Sequence, residues 1–89
     1  MGKPRVKAPK GRELVRDVLN MAPGYGYSED SLLDGINQIS RPAEAKWSEV
    51  REWVEWNHSK GYLRVEFNED LDEDLYFITS EGIAKESVR

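Results

Sequence analysis

The sequence predicts an α+β fold in which three helices precede a two-stranded hairpin and a short closing helix. Three observations lead there. Apolar residues recur at helical spacing in three successive segments, and apolar and charged residues then alternate from Leu63 to Phe67. An acidic, turn-like run next separates that strand from a second apolar stretch, Leu75 to Ile78.

Residues 1–10 combine Lys3, Arg5, Lys7 and Lys10 with Pro4 and Pro9 and hold few apolar side chains, so they read as a flexible basic arm. A single domain is expected over residues 11–89. Its first helix runs from about Arg12 to Met21, with Leu14, Val15, Val18 and Leu19 as the buried stripe and Pro23-Gly24 as the stop. Tyr25-Gly26-Tyr27 reads as a turn. Ser28 then caps a second helix, with Glu29 and Asp30 placed favourably against the positive end of its dipole. Leu32, Leu33, Ile36 and Ile39 form its apolar face, Gly35 permits the close approach of a neighbouring helix, and the element ends near Ser40.

The third helix begins either at Pro42, a residue suited to the first helical position, or near Lys46 after a loop. In both cases Trp47, Val50, Trp53, Val54 and Asn57 share one side, and Gly61 provides the left-handed residue that ends it. Leu63, Val65 and Phe67 alternate with Arg64 and Glu66 as a half-buried strand, and Leu75 to Ile78 is its partner. Thr79 or Ser80 caps a final short helix carrying Ile83. This order is that of a winged helix-turn-helix: a three-helix bundle with a C-terminal two-stranded β-hairpin wing and a short terminal helix.

The bulk properties narrow the function. At 89 residues, 38% apolar with three Trp, the chain closes one modest core. It has no Cys, which excludes disulfides and thiolate metal sites. The N-terminus carries charge without an apolar run after it, and no segment approaches the ~18 apolar residues that span a bilayer. A soluble, cytoplasmic protein without membrane contact is expected. Net charge is −4, distributed unevenly: residues 1–12 hold five Lys or Arg and no acid, whereas the rest holds eight against seventeen acids. A basic segment is therefore joined to an acidic body.

Several short motifs carry a family resemblance: Pro23-Gly24-Tyr25, Ser28-Glu29-Asp30-Ser31-Leu32-Leu33, Val50 through Trp53, Trp56, Lys60-Gly61-Tyr62-Leu63, and Ile78-Thr79-Ser80-Glu81-Gly82. Over residues 12 to 86 the chain resembles the small winged-helix proteins of Mu-like phages and prophages. The resemblance implies a fold like that of small bacterial repressors, a DNA-binding role in transcription regulation, and a homodimer. It implies no catalytic residue. The chain departs from the pattern at Asn57, where Leu is usual, and in the acidity of the wing.

Candidate site residues follow from this reading. Lys3, Arg5, Lys7, Lys10 and Arg12 are cations able to follow phosphates or enter a minor groove. Arg41 and Lys46 flank the start of the third helix. The face opposite its core stripe carries Glu44, Ser48, Arg51, Glu52 and Glu55, of which Ser48 and Arg51 are suited to base edges. Glu accepts only from cytosine and repels phosphate, so Glu52 and Glu55 read as solvated, forming exposed pairs worth about 0.3–0.5 kcal/mol. Residues 68–74 place five acids at the hairpin turn, which would weaken a grip on duplex phosphates.

A protein-interaction module using Asp70, Asp72, Asp74 and an exposed Trp56 is the alternative reading. A calcium loop in the acidic run is disfavoured by Leu75 in place of the turn glycine and by the strand character of Leu75 to Ile78. Gly24 and Gly26 lack the Lys-Ser/Thr ending of a phosphate loop, and His58 has no nucleophile partner. No enzyme, metal or cofactor is expected. Asn57 on the core stripe requires hydrogen-bond partners.

Overall fold

The computed structural model of the chain describes residues 4–88, and Lys3 lies outside the described residues. Helix α1 spans Ala8–Leu19, α2 Glu29–Ser40 and α3 Trp47–Ser59. Strands β1 (Leu63–Asn68) and β2 (Glu73–Ile78) follow, and α4 (Ser80–Ser87) closes the chain. The architecture is α+β, with a two-stranded antiparallel sheet behind the helices in the layout of helix, helix, helix and wing.

Helix α1 starts a turn earlier than its apolar spacing indicates. Pro9 lies in its first turn, where a missing N–H loses no hydrogen bond, and Ala8–Lys10 are helical. Val6 is 8% exposed and belongs to the core. Within the basic arm expected over residues 1–10, Ala8–Lys10 thus belong to α1 and Val6 to the core. One apolar side chain among the cations finds a buried seat and anchors the backbone around it.

Helix α2 is capped as expected. The Ser31 amide donates to Ser28 Oγ at 3.2 Å and the Ser28 amide to Ser31 Oγ at 2.9 Å. Leu32 and Ile36 are buried, whereas Ile39, expected on the same face, is 42% exposed. The two possible starts of the third helix resolve in favour of the later one. Asn37 donates to the Ala45 carbonyl at 3.1 Å and accepts from the Ala45 amide at 2.7 Å, and this clamp holds residues 41–46 out of the helix. Glu49 Oε1 then accepts from the Lys46 amide at 3.0 Å and opens α3. Gly61, with φ of 78°, ends the α3 region in the left-handed conformation that glycine favours.

In the hairpin Leu63 faces Ile78 and Asn68 faces Glu73. Tyr27, read from sequence as part of a turn, instead forms an isolated bridge to β2, with its amide to the Tyr76 carbonyl at 2.9 Å and the reverse bond at 2.8 Å. The expected burial alternation along β1 fades with distance from the bundle: Leu63 is buried, Val65 is half-buried and Phe67 is 59% exposed. Past Val65 the hairpin leaves the helices behind.

The core joins Leu14, Val15, Val18 and Leu19 of α1 to Leu32 and Ile36 of α2, to Val50, Trp53 and Val54 of α3, and to Leu63, Tyr76 and Ile78 of the hairpin. Two glycines set the helix spacing. A Cβ on Gly35 would meet Val18, the close approach expected of it, and one on Gly11 would strike the Trp53 indole.

Candidate functional site

The extended segment Pro4–Lys7 runs beside the α2–α3 connection, with the Glu44 amide donating to the Pro4 carbonyl at 3.1 Å. Arg5 reaches Glu49 on the first turns of α3 at 3.5 Å. Glu49 therefore ties the N-terminal segment to α3 while capping the helix through Lys46. Arg5, Lys7 and Lys10 also line one groove with Ser40, the residue before Arg41. Arg5 and Lys46 thus stand at the start of α3, whereas Lys7 and Lys10 face the end of α2, which Arg41 closes. All five are exposed.

Ser48 and Arg51 are exposed on the first two turns of α3, as are Glu52 and Glu55 farther along. Glu44, counted on this face from sequence, belongs instead to the connection, because α3 begins at Trp47. Arg51 stands near the hairpin. Burial pushes the Tyr76 phenol above its ordinary range, Glu29 and Asp74 add to that rise, and Arg51 opposes it. The basic end of α3 therefore gives way to acids toward the wing.

Arg12 does not join the other cations. Its guanidinium lies 4.7 Å from the Trp56 ring centroid, and its buried Nε has no hydrogen-bond partner. Lys60 lies 5.5 Å from the same centroid, and Tyr62 packs at 6.0 Å. Trp56 is half-buried within this cluster, so the exposed aromatic anchor expected from sequence is largely covered.

Behind Trp56 lies a polar core that sequence reasoning anticipated only at Asn57. Asn57 donates to the Trp53 carbonyl at 2.8 Å and the Arg12 carbonyl at 3.1 Å, and accepts from Arg16 Nη1 at 2.9 Å. Arg16 Nε also donates to Glu86 of α4 at 3.0 Å. The Arg16 and Glu86 side chains are 8% and 6% exposed. Nothing local marks Arg16 as buried, since its partners lie 41 and 70 positions away.

Asp70, Asp72 and Asp74 are exposed at the wing tip, as expected. The structure adds Phe67 and Leu71, each 59% exposed among them. Alternation along β1 predicts an inward-facing Phe67, but the hairpin has left the bundle at that point. Leu71 sits in the turn, where its amide donates to Asn68 Oδ1 at 3.0 Å. Among the described residues no group of three or more His, Asp or Glu is placed to hold a metal, and no helix is long and apolar enough to cross a membrane. No protein-family model matches the chain, and no curated protein matches it.

Proposed function

We propose that the chain is a winged-helix DNA-binding protein, a small phage-type or bacterial transcriptional regulator working in the cytoplasm, without catalytic activity. The observation that supports this reading is the placement of Arg5 and Lys46 at the N-terminal end of α3, with Lys7, Lys10 and Arg41 along the adjoining end of α2. Helix-turn-helix proteins read bases with that end of their second helix while neighbouring cations hold the phosphates. In this arrangement Ser48 and Arg51 face base edges, and Arg51 is the residue able to pair bidentately with guanine. Glu52 and Glu55 share the face of Ser48 and Arg51, and with the acidic wing they oppose phosphate, so the cations at the two helix ends supply the attraction.

Removing the N-terminal segment would be a poor test, since Val6 and the first turn of α1 would go with it. Neutralising Arg5, Lys7 and Lys10 together to Ala removes exposed side chains and leaves the core intact. Binding to a mixed-sequence duplex, titrated against salt, should lose at most about 2.7 units of slope in that variant. Arg51→Ala should instead weaken one sequence selectively, by about 1–3 kcal/mol. Equal slopes for the full chain and the triple variant would remove this reading.

A second reading, a protein-interaction module, is favoured by one specific observation: Phe67 and Leu71 stand exposed within the acidic wing. Large apolar side chains ringed by charge are the usual composition of a contact surface.

A further inference from the structure

The groove that holds Arg5, Lys7 and Lys10 has an apolar floor. Val6, Leu14, Ile39 and Ala43 line it between the start of α1 and the end of α2, and it encloses about 480 Å³. That volume is within the span of pockets that accept small ligands or side-chain anchors, about 300–1,000 Å³. Ile39 stays 42% exposed there although its spacing along α2 matches buried residues. The groove therefore offers an oily strip under a rim of three cations, of which Arg5 pairs with Glu49 at 3.5 Å and Lys10 with Glu13 at 3.2 Å in exposed bridges that an incoming acid can exchange. An apolar, acidic segment complements it.

The chain carries such a segment. At the wing tip Phe67 and Leu71 are each 59% exposed, and five acids occupy residues 68–74. Asp72 holds the turn with φ of 53°, and the Asn68 side chain accepts from the Leu71 amide, so Leu71 rides on a defined turn and Phe67 on the end of β1. Phe67 and Leu71 are exposed, so the wing tip does not occupy the groove of its own chain. We propose that the acidic wing of one copy seats Phe67 and Leu71 in the cation-rimmed groove of a second copy.

This proposal rests on the second reading above, that the wing is a contact surface, and names its partner. Opposite charge aligns the two surfaces and speeds their encounter, and the apolar pair supplies the desolvated centre. The groove's cations are three of those proposed to contact phosphates. Wing docking and duplex binding then compete for Arg5, Lys7 and Lys10, so DNA should dissociate the assembly.

Sedimentation velocity on the full chain tests this. At low ionic strength the mass should rise above the 10.3 kDa of one chain with increasing concentration, and the association should weaken at high salt. A wing variant, Phe67→Ser with Leu71→Ser, and a groove variant, Lys7→Glu with Lys10→Glu, should each lose at least tenfold in association constant. All four positions are exposed, and an unchanged thermal melt would show that both variants fold. Mixing the two should restore a heterodimer, because one retains the groove and the other the wing.

A full chain that stays monomeric at sub-millimolar concentration and low salt would overturn the proposal. So would self-association that only one variant abolishes, or a mixture that fails to recover it. A synthetic basic, apolar peptide separates the two levels. Capture of that peptide by the wing of a monomeric chain would sink the second-copy assignment yet leave the contact-surface reading standing. Failure of both would remove the two together.

Discussion

Asn57 shows how one polar side chain can organise a small core. It is fully buried, and its amide joins the backbone of α1 and α3 to the Arg16 guanidinium. Replacing Asn57 with Leu would strip Arg16 Nη1 of its acceptor and the Trp53 and Arg12 carbonyls of a side-chain donor, at a cost of about 1–3 kcal/mol. Once Arg16 is gone, Asn57→Leu no longer strands its Nη1, so the second change costs less than the first, while Glu86 loses Arg16 in either background. A double-mutant cycle in urea with Asn57→Leu and Arg16→Met should therefore show the pair well short of the sum of the singles. Additivity would mean that the two side chains act independently. The need for partners at Asn57 was legible from its place on an apolar stripe, but the identity of those partners was not, since they come from distant segments.

Among the elements, α4 is the one held least by apolar packing. Ile83, the side chain expected to anchor it, is 36% exposed, and the buried tie is Glu86 to Arg16 of α1. Breaking a buried pair from one side typically costs about 3–5 kcal/mol, but a terminal helix can escape that penalty by detaching. Glu86→Gln should accordingly speed amide exchange throughout Ser80–Ser87 while leaving α2 at its original rate. Uniform acceleration across the chain would instead mean that α4 unfolds with the bundle. The helices and hairpin were legible because their periodicities are strong and their caps local, as with Ser28 and Gly61. Boundaries set by tertiary contact were not: Val6 extends the ordered chain toward the N-terminus, and the Asn37–Ala45 clamp delays α3.

For the whole molecule, Tyr76 sits where the helices meet the hairpin, packed against Trp47 and bridged to Tyr27. Its phenol titrates above its ordinary value chiefly because burial disfavours the phenolate, with Glu29 and Asp74 reinforcing this. A group whose pKa is raised by folding stabilises the folded state below its unfolded pKa, near 10 for Tyr, and that contribution is lost as pH climbs through the folded value. Stability should therefore fall above about pH 10, and Tyr76→Phe should fall less steeply over the same range in urea titrations. Identical alkaline profiles would assign the loss elsewhere. The candidate site was legible only in part at this scale. Composition revealed a basic segment and an acidic wing, but the placement of Arg5 against Glu49 and the diversion of Arg12 to Trp56 depend on how α1 lies across α3. The hairpin beyond Val65 carries a different consequence. Since that stretch contributes almost nothing to the interior, residues can be inserted or deleted between Asn68 and Glu73 without disturbing the bundle, so its reach is free to drift among descendants of this chain while the scaffold stays constant.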